Sequence, residues 1–252
     1  MGASAFNRLK ALARSPAQDF NLTLIRYACE RLLYRLSRSP HSSSFMLKGA
    51  TLFVVWEEEP HRATRDIDLL GFGEDSAERL RAVFADVCRQ EVQDDGVRFD
   101  PDSVSVIDIL EGQTYQGKRM HVGGTLGTAT LSVQVDIGFG DALAKWDAEV
   151  VLPTLLDFPA PRLRACAVEA VVAEKLHAMA QHGMLNSRMK DIYDVQALAA
   201  RLTFDGRSLA EAMRLTFERR GRPIGEELPA PLTHAFAKHW PPGGHWRAPA
   251  EP

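Results

Sequence analysis

Asp66 and Asp68 stand one residue apart in Asp66-Ile67-Asp68-Leu69-Leu70, a run whose other members suit a buried strand. Strand interiors avoid aspartate. Residues i and i+2 of a strand share a face, so both carboxylates project together while Ile67 and Leu69 fill the opposite side. Two such charges repel. A divalent cation removes that penalty; all-oxygen ligands around a partly hydrated ion suit magnesium, with manganese as the alternative. Asp136 repeats the signal in Ser132-Val133-Gln134-Val135-Asp136-Ile137. If that strand lies beside the first, three carboxylates converge. Such a triad holds two metals, one polarising an attacking hydroxyl and the other steadying a leaving oxyanion. The plain alternative makes each aspartate a strand-end or surface residue.

Upstream, Lys48-Gly49-Ala50 turns the chain into a predicted helix, Thr51 to Trp56. Small residues let a backbone approach phosphate oxygens, and a helix N-terminus points N–H groups at them. Arg62, Thr64 and Arg65 precede the aspartate pair and are either a solvated loop or anion contacts, since an arginine fork suits phosphate; Thr64 is placed to bond to Asp66. Glu57, Glu58 and Glu59 read as the solvated end of the helix.

A second group lies downstream. Lys175 falls among apolar Val171, Val172, Leu176 and Met179, and is either a snorkelling surface residue or a phosphate ligand. In Asn186-Ser187-Arg188-Met189-Lys190-Asp191-Ile192-Tyr193-Asp194, Asn186 or Ser187 caps a helix. Asp191 and Asp194 share one helical face, with Lys190 offset beside them. A salt-bridged helix start is the bland alternative, and Asp191 orients either Lys175 or a base. Glu174 and His177 have the Glu-x-x-His spacing of some bundle metal sites, but no second such motif occurs, so His177 reads as a packed or surface histidine. No Gly-x-Ser-x-Gly or other nucleophile signature is present.

The elements that position these residues follow from periodicity. Leu22, Ile25, Cys29, Leu32, Leu33 and Leu36 form a 3.6-residue stripe, capped by Asp19 or Asn21 and stopped by Pro40. Its other face carries Arg26, Arg31, Arg35 and Arg38, either solvated or facing RNA. A short basic helix precedes it. Phe45 to Leu47 and Asp66 to Leu70 are predicted strands, and Ser76 to Gln90 an amphipathic helix. Residues 97 to 137 alternate in period two, with turns at Glu111-Gly112 and Gly123-Gly124. A connector from Pro153 to Pro161 leads to helices at Val168–Gln181, Met189–Arg201 and Ser208–Arg219. This layout, mixed to about residue 150 and helical beyond, suggests two lobes with a cleft.

Composition excludes several classes. The 252 residues carry a formal net charge of −3, are 45% hydrophobic and are 25% charged, so no global charge draws the chain to nucleic acid. Cys29, Cys88 and Cys166 are scattered without a CxxC spacing, which reads as free thiols in a reducing cytosol. No apolar run reaches membrane-spanning length, and the basic N-terminus lacks an apolar signal region and the serine or threonine of a myristoylation signal. A cytoplasmic protein with no membrane partner is expected.

Gly49-Ala50, Asp66-x-Asp68 and the later strand Asp136, in that order, resemble the nucleotidyltransferase superfamily with the DNA polymerase β-like fold. Ala50 departs from the usual serine or glycine. A narrower resemblance is to the AbiEii/AbiGii toxin family of type IV toxin–antitoxin systems. It is carried by Arg26-Tyr27, Glu30 to Leu36, Leu47 to Ala50, Arg62 to Leu69, Gln134 to Asp141, Ala173-Glu174-Lys175 and Asn186 to Asp194. The resemblance implies an α+β chain: a polymerase β-like nucleotidyltransferase domain of mixed sheet and helices over residues 1–150, then a helical C-terminal lobe over 151–252 with a flexible tail. It implies metal-dependent transfer of a nucleotidyl group from an NTP to RNA, particularly a tRNA 3′ end. Asp66, Asp68 and Asp136 would be the metal ligands and catalytic acids, Lys175 would bind the triphosphate, and Lys190 and Asp191 would lie near nucleotide or acceptor. An antitoxin acting without a stable complex is implied as partner. The rivals are a nucleotide-binding module of the same fold without catalysis, to which Ala50 lends support, and phosphoester hydrolysis by the same metals.

Overall fold

A computed structural model describes residues 2–13, 20–57, 62–111, 114–140, 147–225 and 227–239, without side-chain detail at 111, 114–116, 147, 237 and 239. Asp19, Glu58, Glu59, Gly112, Asp141 and the tail from 241 lie outside the described residues. Helices α1 (Gly2–Leu12) and α2 (Phe20–Arg38) precede strand β1 (Phe45–Leu47). A 3-10 turn, Gly49–Leu52, runs into the single helical turn α3 (Phe53–Trp56). Then come β2 (Asp66–Gly71), α4 (Ala77–Arg89), β3 (Val97–Phe99), β4 (Ser105–Glu111), β5 (Thr114–Leu126), β6 (Ala129–Phe139), β7 (Asp147–Val151) and β8 (Arg162–Cys166). Helices α5 (Val168–His182), α6 (Met189–Arg201), α7 (Gly206–Arg219) and α8 (His234–His239) follow. No helix among the described residues is long and apolar enough to cross a membrane.

The sheet runs β3-β5-β6-β2-β1-β8-β7, with β4 also paired to β5. Its β2–β6 and β1–β8 pairs are parallel; β1–β2, β3–β5, β4–β5 and β5–β6 are antiparallel. The chain divides into two compact units, residues 1–140 with 148–165, and residues 141–147 with 166–252. The first holds the sheet. Its core includes Ile67, Leu69, Val133, Val135 and Ile137 from the central strands and Leu80, Phe84 and Val87 from α4, all buried. Alternation of these residues with the aspartates fixes which sheet face is apolar. Ser76 caps α4 by accepting the Arg79 N–H.

Two strands were not anticipated. The layout of helices beyond residue 150 is corrected by β8, which returns to the sheet with Ala165 opposite Leu47. Both β7 and β8 are five residues long, too short for period two to stand out beside the prolines that flank them. The expected onset of helix at Val168 holds. Asn21 lies inside α2 and is not its cap.

The arginine face of α2 is also corrected. Arg26 is half-buried and Arg38 exposed, but Arg31 and Arg35 are buried, neither solvated nor open to RNA. Arg35 forks onto Asp95 at 2.8 and 3.1 Å and donates to the Val97 carbonyl at 3.0 Å. Arg31 lies within 5.1 to 5.9 Å of the ring centroids of Tyr34, Phe158 and Tyr27 and donates to the Pro159 carbonyl at 3.0 Å. Glu30 contacts Arg31 at 2.7 Å and accepts the Leu155 N–H at 2.7 Å. The apolar stripe is real, but the 153–161 connector and the 95–99 segment cover the opposite side. The helix is therefore enclosed nearly all round.

Burial pushes the Glu30 carboxyl up from 4.5 to about 7, although Arg31 and the Leu155 N–H hold it down. The folded state thus binds this proton more tightly than the unfolded chain. Its stabilising contribution is complete below pH 4.5 and is lost as pH rises towards 7. Unfolding free energies measured by urea titration should shift in favour of Glu30→Gln over wild type by about 1 kcal/mol per pH unit across that window. A difference independent of pH would show that Glu30 titrates normally.

Candidate active site

The β2–β6 register decides the site. It sets Asp68 opposite Asp136 and Asp66 opposite Gln134 on parallel neighbours. The β5–β6 register adds Arg119 opposite Asp136 and His121 opposite Gln134. Two rows therefore cross one sheet face: Arg119–Asp136–Asp68 and His121–Gln134–Asp66. Asp66, Asp68 and Asp136 are all half-buried, while the residues between them point into the core.

Local contacts hold Asp68 by its backbone. Its carbonyl accepts the Lys48 N–H at 3.0 Å, and its own N–H donates to Thr51 Oγ1 at 3.1 Å. Gly49 has φ +60°, and a Cβ there would lie 2.8 Å from Asp68 Cγ. Only glycine both adopts this turn and lets the backbone pass the carboxylate. Ala50 is buried; the hydroxyl that braces this turn belongs to Thr51, a residue the sequence did not single out. The segment after Gly49 is a 3-10 turn and one helical turn rather than a full helix from Thr51. Its dipole is correspondingly small, and close backbone approach at Gly49 is what the turn offers a phosphate.

The flanking residues divide. Arg62 stacks over Phe53 at 5.2 Å and Arg65 is exposed. Thr64 makes no bond to Asp66 among the described residues; Thr51 Oγ1 reaches the Asp66 carbonyl instead, at 3.5 Å. Glu57 is buried, correcting its reading as a solvated helix end. A pocket of about 180 Å³ opens beside Asp66, walled by Cys29, Leu33, Thr51, Val54 and Leu155. The Cys29 thiol donates to the Arg65 carbonyl at 4.0 Å. Burial, then the Asp66 charge, pushes its pKa up to about 12. It is thus a protonated thiol and a poor nucleophile.

Asp136 is engaged. Arg119 Nε and Nη2 donate to its two oxygens at 2.8 and 2.7 Å, and Gln134 Nε2 lies 3.3 and 3.4 Å from them. That bond raises the Arg119 pKa, with the Asp66 and Asp68 charges adding to it. Among the described residues no group of three or more His, Cys, Asp or Glu side chains is arranged to hold a metal. The donor chemistry of the face nevertheless fits a hard divalent cation: Asp66 and Asp68 present carboxylates on one side at strand spacing, and Asp136 supplies a third once its fork is released.

In the second unit, α5 packs on α6 and α7. Lys175 is not snorkelling: it is 9% exposed, and its Nζ donates to Asp191 at 2.9 Å and to fully buried Asp194 at 2.6 Å. Burial lowers its pKa, but the two carboxylates outweigh burial and the net shift is upward. Asp191 is thus a hydrogen-bond partner of Lys175, and Asp194 is a closer one. Lys190 is exposed. Asn186 accepts the Arg188 N–H at 2.7 Å, and the helix starts without a side-chain cap. His177 packs edge-on to Phe217, its pKa lowered to about 4 by burial and then by Arg220, Arg222 and His182. It is a neutral core histidine.

A mixed sheet carrying Gly49 over an Asp-x-Asp strand, with a third aspartate on the parallel neighbour, has the α+β polymerase β-like architecture of a nucleotidyltransferase. Residues 31–252 match the family described as nucleotidyl transferase AbiEii toxin of type IV toxin–antitoxin systems. The chain belongs to that family and is a nucleotidyltransferase. Solved structures to which the chain shows similarity include JHP933 of Helicobacter pylori (14% identity, 82% of each chain, TM-score 0.47). Others are a putative nucleotidyltransferase of H. pylori (13%, 82% of this chain and 84% of that one, 0.46) and an antigenic nucleotidyltransferase-like protein of Paracoccidioides brasiliensis (12%, 76% and 88%, 0.43). No curated protein sequence matches the chain.

Proposed function

We propose that this toxin transfers the nucleoside monophosphate of an NTP to an RNA 3′ end, a tRNA in particular, in a magnesium-dependent reaction in the cytoplasm. The observation that carries this reading is the register that brings Asp68 and Asp136 side by side with Asp66 on the same face. Asp66 and Asp68 are assigned as metal ligands, with Asp136 completing the set. Magnesium, or manganese in its place, supplies positive charge that favours hydroxyl attack and pyrophosphate departure.

The chain's own residues do the rest. Gly49 lets the backbone meet the phosphates, with Lys48, Arg62 and Arg65 supplying cationic charge and Thr64 and Ala50 lining the approach. The acceptor oxygen bonds to the α-phosphorus, the bond to the bridging oxygen breaks, and pyrophosphate leaves with the electron pair. Asp136 draws off the hydroxyl proton. In the second unit, Lys175 and Lys190 are assigned to nucleotide, with Asp191 orienting Lys175. The antitoxin is expected to form no stable complex.

Incubation with each α-labelled NTP, magnesium and total tRNA, followed by sequencing of RNA 3′ ends, tests the reading. Wild type should extend RNA, EDTA should stop it, and Asp66→Ala should abolish it. No labelling with any NTP, or full labelling by Asp66→Ala, rejects it.

A further inference from the structure

Arg119 is the cation that the registers set directly beside the aspartates, and its fork is on one of them. It sits on β5, directly across from Asp136, and its fork closes on both carboxylate oxygens. A guanidinium beside a divalent ion is a like-charge contact, strongly unfavourable at a few ångströms. The fork and a metal-filled triad are therefore alternatives. Arg119 also has somewhere to go: its side chain remains 39% exposed, against 19% for Asp136. Once free it is a planar five-donor fork on the same face, suited to bidentate capture of a phosphate oxyanion.

We propose that Arg119 is an exchangeable counter-cation: it holds Asp136 in the metal-free protein, is displaced when divalent metal binds, and then takes the phosphates of the incoming nucleotide. This deepens the function proposed above and rests on its metal-dependent reading. Metal and NTP binding become coupled through one side chain. Metal must displace the fork, which weakens metal binding alone, and the freed guanidinium strengthens nucleotide binding afterwards.

Mn2+ binding to the nucleotide-free protein, followed by electron paramagnetic resonance of the free ion, reads the first half. Arg119→Gln should bind Mn2+ about tenfold tighter than wild type, a difference of about 1.4 kcal/mol. Arg119→Lys, which holds a carboxylate through a single point charge, should fall between them and serves if the glutamine variant folds poorly. The second half is read by equilibrium binding of a non-hydrolysable NTP with saturating magnesium, which should weaken about tenfold in Arg119→Gln. Equal or weaker Mn2+ binding by both variants overturns the role of Arg119 while leaving the metal-dependent reading standing. Absence of Mn2+ binding by wild type and both variants overturns the two together. Tighter Mn2+ binding with unchanged nucleotide affinity overturns the phosphate half.

Discussion

Asp68→Asn should lower nucleotidyl transfer by about 100- to 1000-fold while leaving the protein folded. The backbone of residue 68 is held by Lys48 N–H and Thr51 Oγ1, bonds that do not depend on the side-chain charge. Asparagine keeps the shape that Gly49 was fitted against. What disappears is one negative charge on a face where Asp136 is its direct register partner, on strands about 4.8 Å apart. Because the backbone bonds persist and Arg119 already offsets the Asp136 charge, the melting temperature should change little. Loss of a charge aimed at the transition state costs roughly 3 to 4 kcal/mol of barrier, which sets the expected rate effect. Labelled NTP with total tRNA gives the rate, and thermal unfolding in EDTA gives the stability. A variant that is both inactive and unfolded would mean that the carboxylate is structural; one that is fully active would remove Asp68 from the chemistry.

The acidic strands were legible because aspartate in a period-two apolar run is a local signal: Ile67 and Leu69 announce the buried face, and the aspartates are left on the other. Arg119 was not legible. Within Lys118-Arg119-Met120-His121 nothing distinguishes it from an ordinary strand arginine, and its meaning comes only from the β5–β6 register. The same limit applies to Arg31 and Arg35. Their partners, Pro159 and Asp95, are distant in sequence, so a helix face that looks solvated by charge is in fact covered. The short strands β7 and β8 failed for a different reason: five residues carry too little alternation to outweigh the prolines around them. Ala50 looked like a lost hydroxyl, yet Thr51 supplies a hydroxyl to the same turn from the next position.

Lys175→Met should destabilise the second unit by about 3 to 5 kcal/mol, and its rescue separates structure from chemistry. The lysine ammonium is enclosed between Asp191 and Asp194, and Asp194 has no exposed surface. Removing the cation takes from a buried carboxylate its ammonium partner at 2.6 Å, a damaging form of broken ion pair. Lys175→Met with Asp194→Asn removes both charges of the tighter contact and should recover most of that stability, because Asp191 is partly exposed and tolerates its own charge. Activity should respond otherwise. If Lys175 also meets the triphosphate, the stable double variant stays inactive and shows weakened NTP binding. If Lys175 only fastens α5 to α6, the double variant regains transfer along with stability. Contact with a phosphate would add to an ammonium already bonded to Asp191 and Asp194, of which Asp191 is the more exposed. If Asp191 orients Lys175 for the nucleotide, Asp191→Asn should weaken NTP binding with little effect on stability, since Asp194 still holds the lysine, and urea unfolding alongside equilibrium NTP binding distinguishes the two roles.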